Sequence, residues 1–185
     1  MRNLKKHSYS IWLMPSGRIN KKFSKIILEL SKKHKSPKFM PHVTLIGGFT
    51  GDKKQMLLKA QILANLIKPF DIKLTETAHL NEFYRSLFVY VKKTPELMKT
   101  YNLARKLFDF PKKKYMPHLS LIYGNFSKET KERIIIKEIG EDFNVTFRVK
   151  HICLGFNNEV KKQWPVVKRF SLLFKSGEKT KDLNT

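Results

Sequence analysis

The chain writes one unusual phrase twice, KFMPHVTLIGGF at 38–49 and KYMPHLSLIYGNF at 114–126. Aligned on their histidines, the first eleven positions agree at Lys38/Lys114, Met40/Met116, Pro41/Pro117, His42/His118, Leu45/Leu121, Ile46/Ile122 and Gly48/Gly124. Average residue usage yields about one identity in such a stretch, so the match needs a cause. Both copies carry His-x-hydroxyl: His42-Val43-Thr44 and His118-Leu119-Ser120. The offset of 76 residues, from 42 to 118, is that of a duplicated lobe and not of a short solenoid repeat. Duplicated lobes pack about a pseudo-two-fold axis, which would turn equivalent strands, and with them the two histidines, toward one another.

The hydrophobic pattern around the two copies fits that duplication. Strands are predicted over 8–14, 40–46, 70–80 and 85–93, and through the second copy to Gly124. Two more are predicted over 144–156 and 164–174. Helices are predicted over 20–34, 52–68, 95–110 and 128–139, with Asp52 and Ser127 as N-caps and Pro95 in a first turn. The order reads βαβαβ, then βαβαββ. One bilobal domain is expected over 1–175, with repeat halves at about 8–84 and 85–174, and a flexible polar tail over 176–185.

Apolar residues make up 41% of the 185, enough for a packed core. No apolar run reaches the length of a membrane span, and SIWLMP near the N-terminus is too short for a signal-peptide core. With one cysteine, Cys153, no internal disulfide can form, and a buried small hydrophobe is the expected role. These features predict a cytoplasmic or nuclear monomer without membrane contact. The formal charge of +23 would attract polyanions, so RNA or oligonucleotide contact through a basic surface is an open expectation. The lysines are scattered, however, and an A/T-rich genome would raise Lys, Ile, Asn and Phe together.

On a strand, residues two apart share a face. His42 and Thr44 therefore point one way, as do His118 and Ser120, while Val43 and Leu119 point to a core. Two imidazoles and two hydroxyls around one groove suit phosphodiester cleavage. One neutral histidine can accept a proton from water while a charged one protonates the leaving oxygen, and hydroxyls can bind the phosphate oxygens as charge builds. A metal site is disfavoured, because each His-x-hydroxyl strand supplies one ligand and no carboxylate or cysteine stands nearby. Neither metal nor cofactor is expected.

The two motifs, with YSIWLMP at the start, PHVTLIGGF and PHLSLIYG, resemble the 2H phosphoesterase superfamily, and within it the cyclic phosphodiesterases of plant and yeast type. The resemblance covers roughly residues 8–174. It implies an α+β bilobal fold with two antiparallel sheets facing a central cleft and helices outside. It also implies metal-free hydrolysis of nucleoside 2′,3′-cyclic phosphates or ADP-ribose 1″,2″-cyclic phosphate to monoesters. His42 and His118 match the catalytic pair, Thr44 and Ser120 the phosphate-binding hydroxyls, and Tyr123 a site tyrosine. Trp12 and Tyr84 match aromatics that stack a nucleobase at the cleft mouth. Strict alternation would keep Tyr123 off the face of His118 and Ser120, so a bulge or turn before Gly124 must redirect it; the first copy has Gly47 there.

His79 and His151 lie in predicted strands with no hydroxyl two residues on, and His7 and His34 sit in Lys-rich segments expected to be exposed, so a non-catalytic role is expected for all four. A superfamily member cutting 2′,5′-oligoadenylate, cyclic oligonucleotides or RNA ends, or a binding module without chemistry, are the competing readings.

Overall fold

A computed structural model describes residues 8–140, 143–158 and 162–172. The expected tail at 176–185 and His7 lie outside them. The predicted helices form, and so do the predicted strands except over 144–156. The strand expected over 40–46 starts later and runs on through Gly47 and Gly48, because β1 pairs with it as far as Thr50. β1 (Ser8–Leu13) is followed by α1 (Gly17–Lys33), β2 (Val43–Thr50), α2 (Lys53–Asn65) and β3 (Phe70–His79). After a single tight helical turn at Phe83–Arg85 come β4 (Leu87–Val91), α3 (Pro95–Leu107), β5 (His118–Ile122) and α4 (Lys128–Ile134), whose last turn widens over Ile135–Ile139. The Asp52 carboxylate accepts from the amides of Lys54 and Gln55, and the Ser127 hydroxyl from that of Thr130, so both expected caps satisfy free helix-start donors.

The predicted strand over 144–156 is two strands, β6 (Thr146–Val149) and β7 (His151–Asn157), and β8 is Val166–Ser171. β6 pairs with β3, while β7 pairs with β1 and β8. Alternating side chains mark extended chain but do not name its partner, which is why the break at Lys150 leaves no trace in the pattern.

The strands form one curled antiparallel sheet in the order β6-β3-β4-β5-β2-β1-β7-β8. The two expected sheets are thus four-stranded halves of one sheet, joined where Val43 of β2 pairs with Leu119 of β5. Those two residues are equivalents in the duplication, so the pseudo-two-fold axis runs through this pair. It relates β2 to β5, β1 to β4, β3 to β7 and β8 to β6. The copies exchange elements across it: β3 joins the half containing β4 and β5, β7 joins the half containing β1 and β2, α1 packs on β5 and α3 on β2.

The helices cover one face of the sheet. Phe23, Ile27 and Leu30 of α1, Ala60 and Leu63 of α2, and Leu97, Tyr101 and Ala104 of α3 are all buried with inward-facing strand residues such as Val43, Leu45, Leu119 and Leu121. The opposite face carries the polar strand positions and is open. Among the described residues no helix is long and apolar enough to cross a membrane.

Candidate active site

The duplication repeats a strand irregularity as well as a motif. Ile11 pairs with Ile46 and Trp12 with Thr44, leaving Leu45 as an extra residue. Leu87 pairs with Ile122 and Phe88 with Ser120, leaving Leu121 extra at the equivalent place. After such a bulge the alternation of faces resets: Leu45 and Ile46, like Leu121 and Ile122, are both buried in the core. The next position therefore turns back to the face of the histidine. This is the redirection that Tyr123 requires, and it brings Gly47 and Tyr123 to matching places. A second bulge, at Gly48 with φ +80°, occurs in the first copy alone and uses a conformation that glycine adopts without strain.

The open face forms a cavity of about 430 Å³ lined by both motifs. All seven residues singled out from the sequence line it: Trp12, His42, Thr44, Tyr84, His118, Ser120 and Tyr123. The pairing of Val43 with Leu119 explains how, since the strands run antiparallel and each histidine lies one step from that pair, on opposite strands.

Both imidazoles are held the same way. Nδ1 of His42 is 2.6 Å from the Met40 carbonyl, and Nδ1 of His118 is 2.8 Å from that of Met116. A carbonyl only accepts, so each Nδ1 carries the proton and donates it. In the neutral ring Nε2 is then the basic nitrogen. Trp12 stacks on His42 with centroids 4.3 Å apart and planes 26° apart, while Phe88, the equivalent of Trp12, meets His118 edge-on at 5.1 Å. Burial pushes the His42 pKa down to about 4, helped by the nearby His118 and opposed by the Met40 carbonyl. His118 is also lowered, by burial and then by Arg85, against the Met116 carbonyl and Glu82. His118 is the more open of the two.

The hydroxyls are not equivalent. Ser120 Oγ donates to the Tyr84 carbonyl at 2.9 Å, fixing the turn that carries Tyr84 and Arg85. That turn is anchored from below by Lys131, whose fully buried ammonium donates to the Leu80 carbonyl at 3.0 Å and Asn81 Oδ1 at 2.7 Å. Thr44 is half-buried at the cavity, and no side-chain hydrogen bond engages its hydroxyl among the described residues.

The aromatics are arranged differently from the sequence expectation. Trp12 is only 2% exposed. It does not stand at the mouth as a base-stacking plate but lies beneath His42. Gly155 of β7 makes room for it, since a Cβ there would fall 2.4 Å from the indole. Tyr84 is exposed at the rim, where Trp164 meets it edge-on at 5.9 Å and Tyr123 at 5.2 Å. Phe39 stacks on Tyr123 at 3.8 Å.

The sequence reading missed Ser8, Ser10, Arg85, Asn157 and Trp164, all of which line the cavity. Ser8 and Ser10 share a strand face with Trp12, a signal that alternation offered. Asn157 and Trp164 sit in no motif, and only the β1–β7 pairing delivers them. His34, expected to be exposed, is partly buried, 3.4 Å from Glu138. Among the described residues no carboxylate or thiol lines the cavity, and no three His, Cys, Asp or Glu side chains gather as a metal ligand set.

The family described as cyclic phosphodiesterase-like protein matches residues 7–179. The chain belongs to this family. It is accordingly a phosphodiesterase of the hydrolase class and a member of the 2H phosphoesterase superfamily. A cyclic phosphodiesterase of Arabidopsis thaliana is 26% identical over 160 residues, covering 83% of this chain and 87% of its own. The crystal structure of TT0787 of Thermus thermophilus covers 91% of this chain and 99% of its own, with TM-score 0.65 and 14% identity. That of E. coli LigT complexed with 3′-AMP covers the same 91% and 99%, with TM-score 0.61 and 16% identity. At these identities the two structures speak for the fold, and the α+β half-barrel of the cyclic phosphodiesterase-like chain is theirs.

Proposed function

We propose that the cavity hydrolyses a small cyclic phosphodiester, a nucleoside 2′,3′-cyclic phosphate or ADP-ribose 1″,2″-cyclic phosphate, to a phosphomonoester. The observation that carries this reading is the symmetric presentation of two Nε2 atoms, each ring held through Nδ1 to the carbonyl two residues upstream, at one cavity beside two hydroxyls. His42, with its low pKa, is neutral at pH 7 and acts as base. His118, the more open ring, takes the proton that the anionic phosphate draws to it, against the burial and the Arg85 charge that lower its pKa in the free protein, and acts as acid.

In the step proposed, a water oxygen forms a bond to phosphorus while its proton passes to Nε2 of His42. The bond from phosphorus to one ring oxygen breaks, and Nε2 of His118 protonates that oxygen. Thr44 donates a hydrogen bond to a non-bridging oxygen as negative charge develops. Ser120, whose proton is committed to Tyr84, orients the rim and offers its lone pairs. Tyr84 and Trp164 provide aromatic surface for a base, and Arg85 a charge for the phosphate side of the substrate. LigT was crystallised with 3′-AMP and with NADP⁺, and nucleotide occupancy of the same fold supports a nucleotide here. Among the described residues Arg85 is the one cation that lines the cavity.

The test is turnover of 2′,3′-cyclic nucleotides in EDTA by wild type, His42→Ala, His118→Ala and the double variant. Each single variant should lose on the order of 10²–10⁴-fold in kcat. Undiminished turnover in both would overturn the reading.

A further inference from the structure

The two walls of the cavity are related by the pseudo-two-fold axis and differ in chemistry. On one wall stand Tyr84, Arg85 and Tyr123. At the equivalent places on the other stand Ser8 and bare Gly47, joined by Ser10 and Asn157. Asn157 Nδ2 donates to Ser8 Oγ at 3.1 Å and to Ser10 Oγ at 3.0 Å, and Ser10 Oγ lies 3.3 Å from Asn157 Oδ1. Ser8 accepts from the amide, which leaves its own O–H to donate to a further group. A Cβ at Gly47 would stand 2.9 Å from Ser10 Oγ, so glycine keeps this network uncovered where its counterpart, Tyr123, covers the other wall.

The network is polar and carries no charge. A phosphate would call for a cation such as Arg85 across the cavity, whereas neutral donors and acceptors match sugar hydroxyls. Its distance from the reacting centre also matters. Ser10 and Ser8 lie two and four residues along β1 from Trp12, about 7 and 13 Å at the rise of a strand. Trp12 is in contact with His42. A phosphate held between the histidines therefore leaves Ser8 and Asn157 to whatever extends beyond it.

We propose that Ser8, Ser10 and Asn157 form a subsite for a second, hydroxyl-bearing unit of the substrate, and that Asn157 determines preference for a two-unit nucleotide over a mononucleotide. This rests on the reading of the cavity as a cyclic phosphodiesterase site. The neutral wall receives a ribose, while the aromatic wall receives a base.

The experiment measures kcat/KM for ADP-ribose 1″,2″-cyclic phosphate and for adenosine 2′,3′-cyclic phosphate with wild type, Asn157→Ala and Ser8→Ala. The ratio of the two values should fall about tenfold in Asn157→Ala, as expected for a lost hydrogen-bonded group, through a higher KM for the larger substrate. Ser8→Ala, which removes one half-buried hydroxyl and little packing, should lower the ratio in the same direction and serves as the readout if Asn157→Ala folds poorly. An unaltered ratio in folded variants overturns the subsite while leaving the cyclic phosphodiesterase reading intact. Equal KM values for the two substrates in wild type overturn it too. Failure of wild type to cleave either substrate overturns the underlying reading and the subsite with it.

Discussion

Trp12 and His42 lie face to face, their ring centroids 4.3 Å apart, and His42 is left only 8% exposed. An imidazole so enclosed resists protonation, because the charged form gives up water without gaining a counter-ion. The folded-state pKa of about 4 is below the unfolded 6.5. Between these values the unfolded chain binds the proton that the folded chain refuses, so stability is fully present above pH 6.5 and falls as pH drops toward 4. The shift corresponds to roughly 3 kcal/mol. Urea unfolding from pH 7 to pH 4 should show a loss of that order, reduced in His42→Gln, with His118 contributing in the same direction. A pH dependence unchanged by His42→Gln would contradict the burial of a neutral ring.

The division of labour between the histidines sets the pH–rate profile. In free enzyme the base titrates near pH 4 and the acid below its ordinary 6.5. The bell for kcat/KM should therefore be centred on the acid side of neutrality. Bound substrate adds a negative charge that favours imidazolium, so the alkaline limb of kcat should lie at higher pH than that of kcat/KM. Coincident alkaline limbs would show that His118 does not take its proton beside the bound phosphate.

Thr44 and Ser120 are matched in sequence and unequal in bonding. Ser120→Ala removes the 2.9 Å hydrogen bond to the Tyr84 carbonyl, a net loss of about 0.5–1.5 kcal/mol. Thr44→Ala removes a hydroxyl that holds no protein group. Both variants should lower kcat/KM, but only Ser120→Ala should also lower Tm by several degrees. Thermal unfolding of the two side by side decides it, and equal Tm losses would mean that the Ser120 bond does not anchor the Tyr84 turn.

Much of this site was legible because it was written twice. The repeated His-x-hydroxyl phrase pointed to a groove with two histidines, and the structure pairs Val43 with Leu119 on the axis between them. Some irregularity before Gly124, a bulge or a turn, was implied by the need to turn Tyr123 inward, and the strand pairing makes it a bulge at Leu121. What stayed hidden was the identity of strand partners. Nothing in the alternation of 144–156 tells that β6 goes to β3 and β7 to the far side of β1. The polar wall was hidden for the same reason, since Asn157 and Ser8 are 149 residues apart and meet only through that pairing. Trp12 read as a mouth residue because its position in YSIWLMP gives its face but not its depth. Depth is set by Gly155, a residue in another strand.

That glycine supplies the last prediction. Gly155 sits opposite Ser10 in the β1–β7 ladder, with the Trp12 indole over its backbone. Alanine suits an extended strand, so Gly155→Ala is not opposed by backbone conformation; its Cβ, however, would fall 2.4 Å from two carbons of the six-membered ring. The indole must then tilt or slide, and the ring stacked on its other side must follow. Overpacking of this kind typically destabilises by about 1–3 kcal/mol. The consequence specific to this site is that His42 regains water. Its pKa should rise from about 4 toward 6.5, carrying the acid limb of kcat/KM upward with it. An NMR titration of the His42 ring in wild type and Gly155→Ala measures this directly. A His42 titration that stays in place while Tm falls would show that the indole can yield without uncovering the imidazole.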